Sequence, residues 1–156
     1  MAELILPSGH VALIDAEDIA AVEAAGPWRV HLNCRTLYVR RSLDYTREQY
    51  LHTFLTGYSL TDHRNGDGLD NRRANLRPAN ASLNQANRTR LSGKSGYRGV
   101  TRHSCGRWQA AICVRGERRY LGLHSSPEEA ARAYDLAAVA AFGEYARPNF
   151  PAEVAS

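Results

Sequence analysis

Apolar and polar positions change their period several times along this chain, and each change marks an element. Leu4–Leu6 and Val11–Ile14 are short apolar runs flanking Pro7-Ser8-Gly9, which predicts a hairpin. Asp15 stands at the cap position of a helix expected over Ala16–Ala25. Asp18 adds acid to its first turn, and Gly26-Pro27 stops it. Trp28–Leu32 and Thr36–Arg41 predict a second hairpin around Asn33-Cys34-Arg35. Arg47–Thr56 reads as a helix with Tyr50, Leu51, Phe54 and Leu55 on its apolar face and Gly57 closing it. Two short strands joined by a loop are expected next, then a helix from about Ala79 to Leu91.

Beyond residue 96 the pattern becomes strand-like. Tyr97–His103, Arg107–Val114 and Arg118–Leu123 are strand candidates, with turns at Ser104-Cys105-Gly106 and Arg115-Gly116-Glu117. Ser126 with Glu129 forms a capping box, Pro127 occupies the first helical position, and Gly143 lies past the end. The helix between is rich in alanine, so it can lie close on a sheet. Ser92-Gly93-Lys94-Ser95-Gly96 lacks apolar periodicity and reads as a linker. The expected organisation is therefore 1–91, 92–96 and 97–150. The fold class is α+β, an N-terminal α+β platform leading into a ββα unit with its core at 50–91. A three-stranded antiparallel sheet packed on one helix follows.

Composition narrows the partners. The 156 residues are 44% hydrophobic and 23% charged, ordinary for a globular protein. No apolar run approaches the ~20 residues of a membrane span, so no membrane partner is expected. The N-terminal MAELILPSGH has no basic region followed by a long apolar stretch, which points away from a secretory signal. Cys34, Cys105 and Cys113 show no CxxC spacing, which favours a reducing cytoplasm over a disulfide framework. The net charge of +4 is unevenly spread: residues 1–51 carry −2, 52–92 carry +3, 93–124 carry +6 and 125–156 carry −3. A basic middle is the electrostatic footprint expected for a polyanion.

Residues 62–84, DHRNGDGLDNRRANLRPANASLN, carry the candidate chemistry. Asp62 and His63 are followed by Asn75 and Asn84, with the turn-forming Asn65-Gly66-Asp67-Gly68 between. A carboxylate, an imidazole and an amide in this order suit a phosphodiesterase site with one divalent ion. Asp62 and Asn84 are hard oxygen donors for Mg2+ or Mn2+. His63 suits the general base, and Asn75 would brace the loop or orient the imidazole. Asp67 and Asp70 invite a calcium-loop reading, but the twelfth-position Glu of that motif is missing.

Residues 50–92 resemble the HNH endonuclease family of the phage and intron homing type, through Asp62-His63, Asn75, Asn84 and the preceding Leu51-His52. Thr53 stands where that family often has Arg. The resemblance implies a metal finger with Asp62 and Asn84 as ligands, His63 as base and Asn75 as structural. Residues 97–150, with YRGV, W-x-A-x-I, YLG, EEAARAYDLAAVAAFGE and NF, resemble the plant APETALA and ethylene-response-factor DNA-binding domain. That resemblance implies a sheet laid in the major groove, with Arg98, Arg118 and Tyr120 at contact positions. The charge reading adds Arg102, Arg107 and Arg119 as candidate contacts. Thr101, His103, Ala111 and Cys113 stand where the plant domains usually have Arg or Glu, so a target sequence does not transfer.

The expectation is thus a metal-dependent homing-type DNA endonuclease, nicking duplex DNA to 5′-phosphate and 3′-hydroxyl ends. It would act as a monomer or weak dimer in a bacterial cytoplasm, and could be phage-encoded. The rival expectation is a non-catalytic DNA-binding regulator that keeps the finger as a scaffold.

Overall fold

The computed structural model describes residues 1–87 and 95–154. The chain forms two compact units, Met1–Asn80 and Ala81–Ser156.

The first unit is built from three small antiparallel sheets. Strands β1 (Ala2–Ile5) and β2 (Val11–Ile14) pair in register Leu4↔Ala12, so Leu4, Ala12 and Ile14 enter the core. A single 3-10 turn at Ala16–Asp18 precedes helix α1 (Ile19–Ala25), so the regular helix starts later than the sequence predicts. The reason is that Asp15 makes no side-chain cap. Its Oδ2 instead accepts the backbone N–H of Arg73 at 2.8 Å, while the Arg73 guanidinium pairs with Asp18 at 2.7 Å. A contact between distant segments outcompetes a local one.

Strands β3 (Arg29–Asn33), β4 (Thr36–Ser42) and β5 (Glu48–Tyr50) form the second sheet in the order β3-β4-β5. Residues 48–50 were expected to be helical, but they pair with Arg40–Ser42, and helix α2 begins only at Leu51 and ends at Thr56. Asp44 sets up that return: its Oδ1 accepts the N–H groups of Thr46 and Arg47, closing the turn that brings Glu48 back to β4. Gly57, at φ +71°, closes α2 through a bond from its N–H to the Thr53 carbonyl. Strands β6 (Thr61–His63) and β7 (Leu76–Pro78) form the third sheet, with Asp62 opposite Arg77.

One core unites these pieces, including Leu6, Val22, Trp28, Val39, Leu51, Leu55 and Leu76. Trp28 donates its indole N–H to the Val22 carbonyl at 2.7 Å and packs on Phe54 with ring centroids 5.5 Å apart. The Arg41 guanidinium lies over both rings.

The second unit opens with helix α3 (Ala81–Ala86). The expected continuation of that helix to Leu91, and residues 92–94 of the expected linker, lie outside the described residues. Strands β8 (Val100–Arg102), β9 (Trp108–Val114) and β10 (Glu117–His124) form an antiparallel sheet with β9 in the centre. A bulge between Tyr120 and Gly122 sets Leu121 out of register. Helix α4 (Pro127–Phe142) covers one face. Ser126 accepts the N–H of Glu129, and the Glu129 carboxylate reaches back to Ser125. Val100, Ala110 and Ile112 meet Ala130, Ala131, Ala138 and Phe142, and the alanines permit the close approach. A short helix α5 (Pro151–Val154) follows.

Candidate nucleic-acid interface

The two units divide the sequence-predicted residues between them. Asp62, His63 and Asn75 belong to the first, whereas Asn84 is carried on α3 in the second. The structure therefore gives no single-unit site that contains all four.

Within the first unit the members of the motif are engaged with one another. Asp62 is 8% exposed and its Oδ2 accepts from Arg77 Nε at 2.8 Å and from a second guanidinium nitrogen at 2.7 Å. Two guanidinium nitrogens thus converge on one carboxylate oxygen, a charge-assisted pairing of two buried groups. The strand register produces it, because position 62 faces position 77 across β6 and β7. His63 is 5% exposed, with Nε2 at 3.3 Å from Asn71 Oδ1. Burial is the main reason its pKa lies below the ordinary imidazole value, with Asn71 and nearby carboxylates opposing it. His52 stacks on Tyr50 and meets His63 edge-on at 5.1 Å between centroids. Burial, with the neighbouring His63, pushes the His52 pKa down to about 3. Asn75 ties the loop together: it donates to the Asp70 carbonyl at 2.7 Å and accepts from the Asn65 N–H at 3.1 Å. Asn71, wholly buried, and Asp70, which pairs with Arg72 at 2.7 Å, complete a cross-linked loop. The Asn84 Oδ1 is buried and has no hydrogen-bond partner among the described residues. Among the described residues no group of three or more His, Cys, Asp or Glu side chains is placed to hold a metal ion.

The second unit presents a different surface. The face of its sheet opposite α4 carries Thr101 on β8, Gln109, Ala111 and Cys113 on β9, and Arg118 and Tyr120 on β10. Alternation and register set this grouping: Arg118 pairs with Cys113, Tyr120 with Ala111 and Thr101 with Gln109. Arg118 and Tyr120 are exposed, the tyrosine by 60%. Arg107 is exposed at the start of β9 and donates to the Leu123 carbonyl at 2.9 Å. Arg102 lies over the Trp108 ring at 5.6 Å, and Trp108 itself packs against the helix side of the sheet. Arg119 alternates away from the open face and lies 3.9 Å from Glu117.

Arg98 departs from the expected surface arrangement. It is 9% exposed, and its backbone N–H donates to Asn149 Oδ1 at 2.7 Å. It precedes β8, and Gly99, at a φ of +70°, turns the chain between them. A Cβ on Gly99 would lie 2.0 Å from the Tyr134 ring, so only glycine makes this turn against α4. Asn149 is held in turn by Asp135, whose 1%-exposed carboxylate accepts the N–H groups of Asn149 and Phe150. Sequence reasoning missed the shallow depression on the open face. It has a volume of about 250 Å³ and is lined by Gly99, Thr101, Ala111, Cys113 and Arg118, among others. The signal for it was the pair of small residues, Ala111 and Cys113, at alternate positions of β9.

Comparison with known proteins finds relatives over part of the chain. No family model matches the chain. It is 50% identical over 60 residues, 37% of this chain and 14% of the relative, to an APETALA2-like protein 2 of Oryza sativa subsp. indica. It is 51% identical over 73 residues (45% of this chain and 13% of the relative) to the AP2-like ethylene-responsive transcription factor AIL5 of Arabidopsis thaliana. It is 46% identical over 59 residues, 36% of this chain and 32% of the relative, to the ethylene-responsive transcription factor ERF015 of Arabidopsis thaliana. The chain thus spans between 13% and 32% of the length of these three relatives.

These relatives overturn the endonuclease expectation, because proteins named as transcription factors are not metal-dependent hydrolases. The homing and phage attributions find no support among these relatives, which come from plants. Part of this chain is homologous to proteins of the AP2 and ethylene-response-factor type.

Proposed function

We propose that this chain is a DNA-binding regulator whose second unit docks its open sheet face on duplex DNA. The first unit then serves as a scaffold. The observation that carries this reading is the exposure of Arg118 and Tyr120 on the face opposite α4, within a segment of net charge +6. Arginine on a sheet can hold a phosphate or reach a guanine edge, and an exposed tyrosine adds stacking or apolar contact. Arg102, Arg107 and Arg119, at edges or on the flank, supply sequence-independent attraction to the backbone. The names of the relatives as transcription factors support the same reading.

The test is fluorescence anisotropy with labelled duplexes at a series of salt concentrations. Arg118→Ala should weaken binding at least tenfold. If Arg118 holds a phosphate, the variant should also lower the slope of log affinity against log salt by about 1. Tyr120→Ala should weaken binding with the slope kept. Unchanged affinity in both variants would remove the sheet face from the interface.

A further inference from the structure

We propose that the depression on the open sheet face receives the 5-methyl group of a pyrimidine in the DNA major groove. The inference deepens the DNA-binding reading above and rests on it. Ala111 sits at the middle of the central strand, with its N–H bonded to the Gly99 carbonyl at 2.9 Å on one side and Tyr120 as its cross-strand partner on the other. Cys113 follows two positions on, opposite Arg118, and Thr101 projects from β8. Ala111 and Cys113 are thus small side chains whose cross-strand partners are a tyrosine and an arginine. The resulting hollow, about 250 Å³, is roomy enough for a methyl group and the ring edge that bears it.

The chemistry of the lining selects the occupant. Ala111 and the Thr101 methyl offer no hydrogen bond, and a thiol is a weak donor and acceptor. Ala111 and Cys113 therefore make the floor of the hollow mainly apolar, with the Thr101 hydroxyl and the Arg118 guanidinium as its hydrogen-bonding side chains. The apolar feature that the major groove displays is the pyrimidine 5-methyl, and alanine and threonine methyl groups are suited to meet it. Charge complementarity directs the groove to this place: Arg118 stands on the rim of the hollow, within the +6 segment. Arg118 there can hold a neighbouring guanine edge or phosphate while the methyl fills the hollow. Thymine and 5-methylcytosine present the same group, so both are candidate occupants.

The experiment uses the full chain and a duplex selected from a random library. Each thymine of that duplex is replaced in turn by deoxyuridine, which removes the methyl and keeps every hydrogen-bonding group. Each cytosine is replaced in a second series by 5-methylcytosine. Burying one methyl corresponds to about four-fold in affinity. One thymine position should therefore lose roughly that factor on conversion to deoxyuridine, or one cytosine position should gain it on methylation. The first result assigns thymine, the second 5-methylcytosine. Ala111→Val, which fills the hollow, should erase the discrimination while keeping the salt slope. Thr101→Ser, at an exposed position where folding is not at issue, should reduce it. Retained binding with indifference to every methyl would overturn the methyl site alone. Absence of binding to every duplex would instead overturn the docking of the sheet on DNA, and the methyl site with it.

Discussion

At the scale of single residues, the most consequential pair is Asp62 and Arg77. Read along the chain, Asp62 beside His63 presents a metal ligand next to a base. Read across the sheet, it is a carboxylate engaged by a buried guanidinium fifteen positions away. Nothing in local spacing says which register β6 and β7 adopt, so this partner could not be found from the motif. Breaking such a pair strands a charge in a poorly solvated place, which is costly, whereas replacing both partners need not be. Arg77→Ala should destabilise the first unit by about 3 kcal/mol in urea unfolding, while Asp62→Asn with Arg77→Met should recover most of that loss. Asn75 and Asn71 belong to the same loop framework, and their side-chain bonds run to backbone or loop partners.

At the scale of elements, legibility follows the range of the forces. The limits of α4 could be read directly, because Ser126, Pro127 and Gly143 act within one turn of each end. Ser126→Ala should cost about 1 kcal/mol, visible as a lowered midpoint in chemical denaturation of the second unit. Strand β5 could not be read, because Glu48–Tyr50 become a strand only through pairing with β4 and the Asp44 turn. The burial of Arg98 could not be read either, because its backbone is held by Asn149, 51 positions away. Likewise, the sequence shows that 81–86 is helical but not that α3 belongs to the second unit, which carries Asn84 while Asp62, His63 and Asn75 belong to the first.

At the scale of the molecule, the two units have their own cores and different responses to acid. His52 and His63 both lie in the first, and burial lowers both imidazoles below their ordinary value. The unfolded chain therefore takes up protons that the folded unit refuses. Stability is complete above an unfolded value of about 6.5 and falls as pH drops toward about 3, where His52 titrates in the folded state. The slope is about 1.4 kcal/mol per pH unit for each imidazole fully resisting protonation. Calorimetry between pH 7 and 5 should show one transition moving down in temperature, and His52→Gln should lessen that movement. The chain has two tryptophans, one in each unit: Trp28 is buried at 4% exposure against Phe54, whereas Trp108 is half-buried at the start of the central strand β9. A buried indole emits at shorter wavelength than a wetted one, so the molecule carries its own pair of optical labels. Trp28→Phe and Trp108→Phe each leave one indole to report, allowing acid unfolding of one half and ligand docking on the other to be followed in the same cuvette without attaching a dye.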